Sequence, residues 1–128
     1  MKKRIIIVLS AFLVLVGAAY ADHFDAVKKI GDVTVKTTIE NNPLKVGDNN
    51  VTIALMDKNG ESMTDAAVEI YYFMPSMPAM NYEVKTILEG ETYGAVIKPT
   101  MPGAWDADIR VRMAGEDAQK VTIRFEAK

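Results

Sequence analysis

Alternation of apolar and polar side chains recurs from Val33 almost to the C-terminus and restricts the chain to extended elements with one buried face each. Val33, Val35, Thr37 and Ile39 alternate with Thr34, Lys36 and Thr38, and Val51, Ile53 and Leu55 keep the same period up to the turn signal Asp57-Lys58-Asn59-Gly60. Val68, Ile70 and Tyr72 continue it, then Tyr82, Val84, Thr86 and Leu88, then Tyr93, Ala95 and Ile97 after Glu89-Gly90-Glu91. Trp105, Ala107, Ile109, Val111 and Met113 alternate with Asp106, Asp108, Arg110 and Arg112, and Val121, Ile123 and Phe125 close the series. These are seven strands with regular turn signals and no helical apolar period after residue 21. The expected fold is all-β, an immunoglobulin-like antiparallel β-sandwich of about seven strands. Residues 22–31 fall outside the pattern and are expected as a short helix or loose N-terminal arm, with the sandwich domain over 32–128.

The N-terminus sets the compartment. Lys2, Lys3 and Arg4 precede an apolar run from Ile5 to Gly17, and Ala19-Tyr20-Ala21 places small residues where a signal peptidase reads. Residues 1–21 are expected as a cleaved signal peptide, which makes the protein periplasmic or otherwise extracytoplasmic. The run falls short of the roughly 20 apolar residues that cross a bilayer, so the mature chain is expected to lack a bilayer-spanning segment. Loss of Lys2, Lys3 and Arg4 leaves 12 basic against 17 acidic residues in a mature chain of 107, a formal charge of −5. Such a domain lacks the basic footprint of a nucleic-acid partner.

The chain has no cysteine. In an exported protein this excludes a disulfide framework, a lipid-bearing cysteine and thiolate metal ligands. It also removes Cys-His catalysis, and with one histidine, His23, near the expected mature terminus, no Ser-His arrangement is expected either. The carboxylates Asp106 and Asp108 alternate with the strand and read as a solvated charge ladder. The chain is not expected to be an enzyme.

What remains is the segment Phe73-Met-Pro-Ser-Met-Pro-Ala-Met-Asn-Tyr82. Met74 and Met77 each precede a proline, which pushes a residue away from the helical region towards extended conformations. In a polyproline II loop, residues three apart share one side, spaced by ~9 Å along the axis, so Met74, Met77 and Met80 are expected on one side of an extended loop. A turn within it would let their sulfurs converge, and Met101, in the Met101-Pro102 pair, is a fourth candidate. Thioether sulfur is neutral and polarizable, and the first-row ion that accepts several such ligands is Cu(I). His23 is a further candidate, either as a ligand beside the methionines or, with a free amine at residue 22, as part of a Cu(II) chelate. The same methionines also suit core filling or an adaptable apolar surface that grips a protein partner without metal.

Met-Pro-x-Met-Pro-x-Met at 74–80, followed by Met-Pro-Gly-x-Trp at 101–105 leading into an alternating strand, resembles the YtkA-like family and its FixH-like relatives. The resemblance covers roughly residues 32–127. It implies an immunoglobulin-like sandwich outside the cytoplasmic membrane whose methionine loop takes part in copper handling or in the assembly of copper-dependent oxidases. Met74, Met77, Met80 and Met101 match that pattern, and the implied partner is a copper-accepting or membrane-embedded protein. The chain departs from the family in lacking a histidine in the loop and a lipidation cysteine, and its N-terminus is expected to be cleaved where FixH-like proteins are anchored.

Overall fold

The computed structural model describes residues 23–128, so the expected signal peptide lies outside the described residues. Nine strands follow one another: β1 (Phe24–Ile30), β2 (Val33–Ile39), β3 (Asn49–Met56), β4 (Ala67–Met74), β5 (Met77–Lys85), β6 (Ile87–Glu89), β7 (Thr92–Ile97), β8 (Gly103–Arg112) and β9 (Gln119–Ala127). They form a five-stranded sheet of order β1-β2-β3-β7-β6 and a four-stranded sheet of order β5-β4-β8-β9. Neighbouring strands in both sheets run antiparallel. The period-two residues of both sheets meet in one core. Val35, Ile53 and Leu55 from one sheet and Ile70, Trp105 and Ile109 from the other are each at most 1% exposed. Burial of this apolar surface holds the sandwich without a covalent staple. Among the described residues no helix is long and apolar enough to cross a membrane.

Two departures from the expected strands have physical causes. The segment expected as an arm or short helix is β1, paired with β2 from Phe24↔Ile39 to Ile30↔Val33. The hairpin turns on Gly31, whose φ of 58° suits the first central position of a two-residue loop. As a sheet edge, β1 leaves Val27, Lys28 and Lys29 exposed, which hides the alternation that marks the other strands. The strand expected over Tyr82–Leu88 is two strands in different sheets. β5 ends at Lys85, the chain crosses at Thr86, and β6 continues against β7. Thr86 holds the crossing with two bonds to one carbonyl, its N–H at 3.1 Å and its hydroxyl at 2.7 Å from the Val68 oxygen.

The long connection between β2 and β3 is fixed by a buried amide. Asn49, 0% exposed, accepts from Lys45 N–H and Asn41 Nδ2 and donates to the carbonyls of Lys45 and Gly47. Leu44, also 0% exposed, then pairs with the C-terminal strand through Leu44 N–H to the Glu126 carbonyl (2.9 Å) and Lys128 N–H to the Leu44 carbonyl (2.8 Å). Asn49→Ala leaves several of these groups without partners, and urea denaturation is expected to show a loss of about 3 kcal/mol.

Candidate metal site at the methionine end of the sandwich

The Met-Pro segment is a β-hairpin with a bulge, not a polyproline loop. Met74 closes β4, Pro75 and Ser76 form the turn, and Met77 opens β5 as the partner of Met74. Proline favours the first central position of such a turn, where its fixed φ is preset. With no non-glycine residue at positive φ among the described residues, the turn is not of the primed types whose twist matches a hairpin, and strands joined in this way splay. The splay is relieved at once. Pairing jumps from Met74↔Met77 to Phe73↔Asn81, so Pro78, Ala79 and Met80 bulge out of the ladder. Pro78, with no N–H to donate, suits a bulge position. The Asn81 side chain secures the bulge, its Nδ2 donating to the carbonyls of Pro78 (2.9 Å) and Ala79 (3.4 Å).

This hairpin gathers methionines by a different geometry from the one expected. Met74 and Met77 are direct cross-strand partners and share one face of the sheet. Met74 is buried at 4% exposure and Met77 stands at the tip, 44% exposed. Met80 and Met101 are half-buried against the core. Met74 reaches the other methionine segment at Gly103, where a β-carbon on the glycine would stand 3.0 Å from the Met74 Cε.

Three aromatic side chains between the sheets hold the segment that carries Met101. The Tyr72 hydroxyl accepts from Lys98 N–H at 2.9 Å, the Tyr82 hydroxyl bonds the Thr100 hydroxyl at 3.2 Å, and Trp105 Nε1 donates to the Met101 carbonyl at 3.0 Å. Their rings pack on one another with centroids 5.4–6.2 Å apart. Tyr82 also donates its hydroxyl to Met80 Sδ at 3.7 Å, with Thr100 then donating to Tyr82. One phenol thus links the bulge of β5 to the segment preceding β8. Alternation marks Tyr82 only as a core or cross-strand residue, and it does not mark Thr100 at all. Their spacing gives no signal, because the contact depends on how the two sheets face each other.

His23 lies apart from the methionine hairpin. Its Nε2 is 2.9 Å from Asp25 Oδ2, and Asp25 also accepts from the Thr38 hydroxyl. β1 packs on β9, which is three strand spacings from β5, roughly 14 Å at ~4.8 Å per strand. The structure brings the two methionine segments to one end of the sandwich and places His23 three strand spacings from the hairpin that carries Met74, Met77 and Met80. Among the described residues no group of three or more His, Cys, Asp or Glu side chains is placed to hold a metal ion.

The YtkA-like family model matches residues 28–110, more than half of the chain. The chain belongs to the YtkA-like family. Two solved structures share its fold: a DUF4426 family protein from Pseudomonas aeruginosa PAO1, 14% identical with a TM-score of 0.56 over 80% of this chain and 93% of that one, and the PmoD soluble domain from Methylocystis sp. ATCC 49242 (Rockwell), 9% identical with a TM-score of 0.56 over 80% and 96%. No curated protein matches the chain.

The charge ladder of this YtkA-like domain is more tightly paired than its alternation suggests. Asp108 is 5% exposed although it faces outward, because Thr122 donates to it at 2.7 Å and Lys120 at 3.3 Å across β9. Asp106 takes Arg124 at 2.8 Å, which raises the pKa of that guanidinium. Both carboxylates are thus engaged by side chains of β9.

At the methionine end, burial pushes the Tyr72 hydroxyl above its ordinary pKa, partly offset by the Lys98 N–H it accepts. A raised folded-state value means that Tyr72 contributes stability below the unfolded pKa near 10, and that this is lost as pH rises through the folded value. Thermal melts from pH 9 upward are expected to fall more steeply for the native chain than for Tyr72→Phe. At Gly103, with a φ of 131°, a β-carbon would be strained and would press on the Met74 Cε. Gly103→Ala is expected to cost about 1–3 kcal/mol in urea denaturation and to shift the Met74 methyl resonance.

Proposed function

We propose that this YtkA-like protein is an exported copper-handling protein that carries Cu(I) on the thioethers of Met74, Met77, Met80 and Met101. The observation that most supports the reading is the bridge from Met80 Sδ through the Tyr82 hydroxyl to Thr100, beside Met101, together with the contact of Met74 at Gly103. Thioethers are soft neutral ligands that suit Cu(I), and they bind without releasing protons, so affinity should vary little around neutral pH. Met77, the most exposed of the four, is where an incoming sulfur ligand of an accepting protein would displace the first bond. The cargo would pass to a copper enzyme or to a membrane-embedded assembly partner. Family membership supports this reading, since the YtkA-like resemblance carries the expectation of copper handling. His23 is engaged by Asp25, and the amine of residue 22 that a Cu(II) chelate needs lies outside the described residues.

A second reading rests on the exposure of Met77 with Pro75, Pro78 and Ala79 at the hairpin tip. Such a tip could dock on a protein partner with no metal. Competition titration of Cu(I) against a chromogenic chelator separates the two. One equivalent should bind the native chain, with affinity reduced at least ~10-fold in Met80→Leu and Met101→Leu, the loss of about 1.4 kcal/mol. His23→Ala should bind as the native chain does. Equal, weak competition by all variants would leave the docking reading.

A further inference from the structure

The crossing at Thr86 leaves a cleft at the opposite end of the sandwich. Because β5 stops at Lys85, the start of β4 at Ala67 and Val68 has no strand beside it on that edge, and only Thr86 bonds there. A cavity of about 430 Å³ opens along this edge. Its walls are the apolar faces of Val68, Leu88 and Tyr93, and its rim carries Lys85, Arg110 and Arg112 with a single carboxylate, Glu69. The volume lies within the range of about 300–1,000 Å³ of small-molecule sites.

The charges of the rim are not balanced. Arg110 is 3.0 Å from Glu83 and 3.8 Å from Glu69 and stacks on the Tyr71 ring at 4.8 Å, so it is already partnered. Among the described residues neither Lys85 nor Arg112 has a carboxylate within ion-pair distance. Glu69 pairs with Lys85 in the strand register, yet its oxygen lies by Arg110. Glu116 and Asp117, in the turn after β8, do not line the cavity. Two uncommitted cations thus stand over an apolar wall in a chain with an excess of acidic residues.

The wall is mixed, with Thr64 and Thr86 beside the buried Val68 and Tyr93 and the exposed Leu88. The Tyr93 hydroxyl is committed, accepting from Ala66 N–H at 3.2 Å and donating to the Met63 carbonyl at 2.8 Å, so it presents only its ring. Leu88 is 44% exposed in the cleft, an apolar side chain that the core does not use. We infer that this cleft binds a small amphipathic carboxylate, its anionic head between Lys85 and Arg112 and its apolar body along Val68, Leu88 and Tyr93. The site is independent of the methionine end and of the copper reading.

Amide-detected NMR titration of the mature chain with octanoate tests it, with octanol and inorganic phosphate as controls. Octanoate should give saturable shifts confined to residues 64–69, 85–88, 93 and 110–112. Affinity should fall by at least about tenfold in the Lys85→Gln/Arg112→Gln double variant, the effect of losing one charge-assisted hydrogen bond. Both side chains are exposed, so the fold should persist, and the variant's own spectrum reports on that. Leu88→Gln should weaken octanoate and leave phosphate unchanged. Absence of saturable shifts, equal affinity in the double variant, or phosphate binding as tightly as octanoate would overturn the inference.

Discussion

Trp105 is the side chain on which the organisation of the methionine end depends. Its ring is 0% exposed between the sheets, in contact with Tyr72 and Tyr82, and its indole N–H is satisfied by the Met101 carbonyl. A buried indole without that acceptor would carry an unpaired donor, so burial of the ring and placement of the Met101 segment are one requirement. The two tyrosines extend it. Each spends its hydroxyl on the same segment, at Lys98 and Thr100, so three rings fix three successive points of a loop that forms no ladder of its own. The Met80 sulfur is thereby held by the hydroxyl of one of these rings.

The same sandwich creates both candidate sites by ending strands early. At one end, a turn poorly matched to hairpin twist forces the bulge at Pro78, Ala79 and Met80, which turns Met80 towards Tyr82. At the other, the crossing at Thr86 moves the chain from one sheet to the other and uncovers the edge of β4. With no disulfide present, those irregularities rest on hydrogen bonds from Asn81 and Thr86.

Much of this is legible in the sequence. Seven alternating segments point to the sandwich, because a buried face imposes period two wherever a strand has a core to cover. β1 is hidden because an edge strand buries little, and its Val27, Lys28 and Lys29 break the pattern. The Ile30-Gly31-Asp32-Val33 turn is the signal available. The crossing at Thr86 is hidden for the opposite reason, since alternation continues from Tyr82 through Leu88 while the strand changes sheets. Spacing singles out the methionines but not their geometry. Proline before and after Ser76 fits a rod, a turn or a bulge, and only the pairing of Met74 with Met77 decides among them. Tyr82 and Thr100 belong to the site through contacts between segments 18 residues apart, which no local motif records.

The central claim is that thioethers of one end of the sandwich carry copper, and the methyl groups of the methionines report on it directly. With ¹³C-methyl methionine labelling and stoichiometric Cu(I), the methyl resonances of Met74, Met77, Met80 and Met101 should move together and saturate at one equivalent. Met56, Met63 and Met113, elsewhere in the fold, should stay in place. Saturable shifts at His23 with unmoved methionine methyls, or no saturable shift at all, would contradict the account.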